Sequence, residues 1–103
     1  MKDKYIVVVD PALAPIMPRY MELREHEHQD LMEALALSDP KRVALLGHRL
    51  KGTGTSYGMD MLTELGGQLE QAGHAGDMNT ASLIAQRIRL FLDRLELVYP
   101  EDT

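Results

Sequence analysis

Between residues 77 and 98 the apolar positions Ala81, Ile84, Ile88, Phe91, Leu95 and Val98 alternate by three and four over five intervals. An α-helix brings such positions to one side, so this segment needs partners that cover a continuous apolar stripe. Leu62, Leu65, Leu69 and Ala72 repeat the pattern, and Val43, Leu46, Leu50 and Tyr57 keep helical spacing upstream. From Arg19 to Leu37 there is no glycine or proline, and Met21, His28, Leu31 and Leu35 fall near one face. These stripes require helices packed on helices.

Punctuation along the chain sets the boundaries. Asp10-Pro11 and Ser38-Asp39-Pro40 each place an N-capping side chain before a proline at the first helical position, and Pro18 can open a helix in the same way. Gly58 suits a left-handed cap, and Gly73-His74-Ala75-Gly76-Asp77 reads as a turn ending in another N-cap. The expected helices cover about 11–17, 18–37, 40–57, 59–73 and 77–98. Loops this short return each helix beside its predecessor. The expected fold is therefore all-α: an antiparallel up-down four-helix bundle with a short additional N-terminal helix, forming one domain over residues 1–103. Tyr5 to Val9 is β-branched, but no second run of that kind is evident, so residues 1–9 are expected to be an extended lead-in.

Composition narrows the chemistry. With 103 residues the chain suffices for one core, and with no cysteine it has neither a disulfide framework nor a thiolate metal site. That fits a cytoplasmic protein. Eleven Lys+Arg against sixteen Asp+Glu give a net charge of -5, the wrong sign for neutralising many phosphates of a nucleic acid. No apolar run approaches the ~20 residues of a membrane span. Met1 and the absence of a linker suggest a complete protein, with a monomer as the default state.

One stretch calls for a chemical explanation. Gly47-His48-Arg49-Leu50-Lys51-Gly52-Thr53-Gly54 puts three glycines into a segment that otherwise reads as helix. Each costs roughly 0.5–1 kcal/mol relative to alanine. Gly47 and Gly52 have phosphate-loop spacing, but Thr53 stands where the lysine belongs and no strand precedes them. On a helical wheel His48 lies roughly 150° from the centre of the apolar arc and faces solvent, with Ala44 and Gly52 one turn to either side and Thr55 two turns on. Small neighbours leave a ring nitrogen accessible to an approaching protein. Lys51, beside it, can put a positive charge near whatever the nitrogen carries. An accessible imidazole with an adjacent cation suits a nucleophile that accepts a phosphoryl group.

These residues resemble a known family. His48-Arg49-Leu50-Lys51-Gly52, with Gly58 following, is similar to the H-x-L-K-G…G motif of histidine phosphotransfer (HPt) domains of two-component phosphorelays. The likeness continues through Leu62-Thr63-Glu64-Leu65-Gly66-Gly67-Gln68-Leu69-Glu70 and Gly76-Asp77, and Val9-Asp10-Pro11 fits the opening of some members. Ser56 and Gly54 depart from the more usual asparagine and serine or alanine. The resemblance implies a helical bundle with His48 as phosphoacceptor, Lys51 as the phosphate-facing cation and Gly52 as the small residue beside the ring. It implies as partners the receiver domains of response regulators, or a hybrid sensor histidine kinase. The receiver supplies the magnesium ion, and the carrier itself has no kinase activity, cofactor or metal. Ala44, Leu45, Arg49 and Thr55 are the expected docking residues around His48. The competing reading is a four-helix scaffold or inhibitor module that carries no phosphate.

Other candidates read as structural. His26 and His28 are two apart and point in nearly opposite directions, which excludes one shared metal ion. His74 is expected to be a solvent-exposed turn residue, the methionines to be packing residues, and Glu22, Glu25 and Glu27 to form a solvated face.

Overall fold

A computed structural model describes residues 4–100; residues 1–3, the start of the expected lead-in, and 101–103 lie outside the described residues. Four helices dominate it: α1 (Met17–Ala36), α2 (Pro40–Gly54), α3 (Asp60–Ala75) and α4 (Met78–Arg94). A 3-10 helix over Pro11–Ile16 precedes α1, and another over Thr55–Tyr57 follows α2. The caps are those the cap-then-proline spacing predicts. The Asp10 carboxylate accepts from the Ala12 N–H at 2.9 Å, and Asp39 accepts from the Arg42 N–H at 3.1 Å. Asp77 takes both the N–H and the hydroxyl of Thr80, which holds its carboxyl below the usual carboxylate range. Gly58 and Gly76 end their helical segments with φ of 74° and 68°, the left-handed conformation that favours glycine.

The chain is not purely helical. Tyr5–Val8 forms strand β1 and Leu95–Val98 forms strand β2, paired in parallel with Tyr5 opposite Leu95 and Val8 opposite Val98. The expected unpaired lead-in is thus corrected, as is the helix expected to reach residue 98, because α4 stops at Arg94 and Leu95 is already extended. The partner strand escapes sequence reading for a simple reason. Leu95 and Val98 continue the helical stripe as well as they fit a short strand, and over four residues the two periods are not separable. Pairing adds the Val9 N–H bond to the Val98 carbonyl at 2.8 Å, and Tyr5 packs its ring 5.3 Å from that of Phe91. The strands thereby clamp the N-terminal segment to the end of α4.

The core runs through the bundle, with Met17, Leu31, Val43, Leu62, Leu69 and Ile88 all buried. A buried polar group crosses it. Arg24 stacks 4.4 Å from the Tyr20 ring centroid, pairs with Glu27 at 2.6 Å and donates to Thr53 Oγ1 at 3.0 Å. Glu27 and also Glu25, which pairs with Arg89, are therefore engaged and do not form a merely solvated face. His28 is buried as well, its Nε2 within 3.2 Å of the Ala85 carbonyl.

Contact between α2 and α3 is of a different kind, backbone against backbone. A methyl group at Gly66 would stand 2.5 Å from the Lys51 nitrogen, and one at Gly73 would stand 2.5 Å from the Ala44 nitrogen. At Gly47 it would strike the Glu70 backbone, and at Gly54 it would strike Thr63. Only Gly52 in α2 has open space where a side chain would go. The expectation that Ala44 flanks His48 on the solvent side is corrected here: Ala44 is only 6% exposed, because Gly73 lets α3 close over it. Overpacking a site this tight costs about 1–3 kcal/mol. Gly66→Ala is therefore expected to lower unfolding stability by about that amount in urea denaturation, whereas Gly52→Ala leaves it unchanged or raises it by roughly 0.5–1 kcal/mol.

Candidate functional site

Close approach of α2 and α3 brings together side chains that are distant in sequence. His48 projects from the middle of α2 with its side chain 65% exposed, on the side opposite the buried Val43, Leu46 and Leu50. Opposite it on α3 stands Glu70, whose backbone nitrogen is the atom that Gly47 makes room for. The Glu70 carboxylate is mostly covered and divides its two oxygens. Oε2 lies 2.9 Å from His48 Nδ1, and Oε1 accepts from Lys51 Nζ at 2.7 Å. Lys51 passes beside Gly67 on the way, its Cδ 3.6 Å from where a Gly67 side chain would begin, an ordinary contact distance.

Electrostatics fix the protonation pattern. Hydrogen bonding from Lys51, and secondarily from His48, holds the Glu70 carboxyl below its ordinary value against the opposing effect of burial. Glu70 is thus an anion at neutral pH and can only accept. A neutral His48 must then carry its proton on Nδ1 and donate it to Oε2. Its Nε2 keeps the lone pair, and among the described residues nothing bonds to it. A neutral histidine held by a carboxylate at one nitrogen and open at the other has the chemistry of a nucleophile at the open nitrogen.

Of the residues singled out in the sequence, His48, Lys51 and Gly52 lie together on the last turns of α2, with Gly52 exposed and open. Leu45 and Arg49 are exposed on the same helix, and Leu45 is among the exposed large apolar residues. Thr55 is exposed but belongs to the 3-10 turn, where its hydroxyl lies 3.0 Å from that of Thr63. Ala44 is buried and belongs to the packing. His74 is exposed as expected, though on the last turn of α3 and not in the loop. Sequence reading missed Glu70. It directly follows Leu69 on the α3 stripe, but its pairing with His48 depends on the register between two helices, which spacing within either one does not encode.

Among the described residues there is no cluster of His, Asp or Glu able to hold a metal ion and no helix long and apolar enough to cross a membrane. Comparison with curated proteins and with solved structures gives no match. A family model described as Hpt domain matches residues 19–97, from the start of α1 through β2 and including the whole α2–α3 site. The chain belongs to the Hpt domain family, the histidine phosphotransfer carriers of phosphorelay signalling.

Proposed function

We propose that His48 is the phosphoacceptor and that the protein carries a phosphoryl group between receiver domains, or from a hybrid histidine kinase to a receiver. The observation that carries this reading is the Glu70 carboxylate shared between His48 Nδ1 and Lys51 Nζ, with Nε2 left outward. In the forward step Nε2 attacks the phosphorus of the receiver's aspartyl phosphate. The N–P bond forms as the P–O bond to the aspartate breaks, and the carboxylate leaves with the bonding electrons. No proton needs to move, because Nδ1–H stays on the ring and Glu70 offsets the positive charge that the imidazole acquires. Lys51, whose ammonium is held by Glu70 Oε1 at 2.7 Å, lies one turn along α2 from the ring and can turn to the oxygens of the transferred group to stabilise their charge.

Everything else comes from the partner. The receiver brings the aspartate and the magnesium ion, and the carrier acts as a cytoplasmic monomer with neither cofactor nor kinase activity of its own. Docking uses the exposed side of α2, where Leu45 and Arg49 stand beside His48 and Gly52, with Thr55 just beyond. The local positive charge of Arg49 and Lys51 on a chain of net charge -5 complements an acidic receiver pocket. Since Gly52 is not needed to pack α2 against α3, its role is clearance for the incoming domain.

Three outcomes test this reading. His48→Gln retains the fold by circular dichroism and takes up no radiolabelled phosphate from a phosphorylated receiver; undiminished labelling overturns the assignment. Glu70→Ala removes the group that selects the nucleophilic tautomer, and acceptance is expected to slow by about 10-fold or more, as when other histidine-orienting partners are lost. Gly52→Gln keeps the stability of the parent but loses transfer from the receiver, while phosphorylation by the small donor phosphoramidate continues. Equal loss with both donors would place the fault in the chemistry and not in docking.

A further inference from the structure

Glu70 has a third neighbour that the transfer step described above does not use. His74, one turn further along α3, places its Nε2 3.9 Å from Glu70 Oε2, the oxygen that holds His48 Nδ1 at 2.9 Å. Its side chain is 69% exposed, and Glu70 is its only ion-pair partner among the described residues. The charged groups around this carboxylate are then complete: His48 and Lys51 from α2, and His74 from its own helix. Asp77, just beyond the end of α3, is engaged by Thr80. Two imidazoles from two helices therefore address one carboxylate oxygen.

We propose that His74 is a positioning residue for phosphoryl transfer, acting on His48 through the Glu70 oxygen they share. Histidine is the side chain whose charge ordinarily changes between pH 5 and 8. When His74 is charged it competes for Oε2, so Glu70 stabilises a charged His48 less and a larger share of the His48 population stays neutral. When His74 is neutral the competition ends. Phosphoryl transfer passes through a loose transition state with little bonding to the nucleophile. The rate thus follows the amount of neutral His48 more closely than its basicity, and His74 extends acceptance toward acidic pH.

The inference rests on His48 being the phosphoacceptor, but its first readout does not need transfer at all. Ring nitrogen NMR of His48 at pH 6 gives the ratio of charged to neutral imidazole. An exposed pair of this kind interacts weakly, so His74→Gln is expected to raise that ratio by about 2-fold, and His74→Arg, which keeps a charge, to hold it at or below the parent value. Both differences should vanish in a Glu70→Gln background. Acceptance from a phosphorylated receiver by His74→Gln should be slower than the parent by up to about 2-fold at pH 6, and the difference should disappear as the pH is raised to 8. An unchanged ratio in His74→Gln, or a difference that persists without the Glu70 carboxylate, overturns the coupling. The expected ratios together with undiminished labelling of His48→Gln would instead overturn His48 as acceptor, and with it any role of His74 in transfer.

Discussion

Backbone contact between α2 and α3 is the constraint from which the rest of this molecule follows. Gly47 and Gly54 on one helix and Gly66 and Gly73 on the other remove the side chains that would hold the two axes apart. Each glycine costs helix stability locally, and the interface recovers it through dispersion contacts that exist only at this separation. The same closeness brings the Glu70 carboxylate to His48 and lets Lys51 reach over Gly67 to the second oxygen. The site is thus a by-product of the packing, and it cannot be loosened without separating the histidine from its orienting acid.

Around that contact the other elements act as supports. The buried Arg24, between Tyr20, Glu27 and Thr53, ties α1 to the end of α2 immediately beside Lys51 and Gly52. A guanidinium this deep is stabilised by its neighbours and not by water, so it fixes position more than it adds stability. The β1–β2 pair, with Val7 and Val8 beside Gly58 just past the end of α2, closes the chain on itself, joining the segment before the first helix to the segment after the last. The outcome is a helical frame that presents His48 at its surface, already paired with Glu70. That suits a carrier, whose partner must find the same geometry at each encounter.

Much of this was legible in the residues. Helical stripes, Asp-Pro starts and glycine stops placed four helices, and the wheel put His48 on the solvent side of α2 from Val43, Leu46 and Leu50. What misled were the glycines. A run of Gly47, Gly52 and Gly54 reads as a single feature around the histidine, yet Gly47 and Gly54 face α3 and only Gly52 faces outward. Ala44 was misplaced for the same reason, since a wheel assigns one buried arc per helix and α2 is covered on more than one side. The β2 strand was hidden because four residues of Leu-Glu-Leu-Val satisfy two periods at once.

Neighbouring residues alone encode the four helices, their order and the exposure of His48 beside Lys51, because periodicity, caps and position on a helical wheel are local facts. Tertiary structure decided which oxygen meets which nitrogen. Glu70 lies 22 residues from His48, and its choice of Nδ1 over Nε2, with Lys51 on one side and His74 on the other, depends on how far α3 slides along α2. That register is set by the sum of close backbone contacts at glycines on two helices, a quantity that no stretch of either helix contains alone.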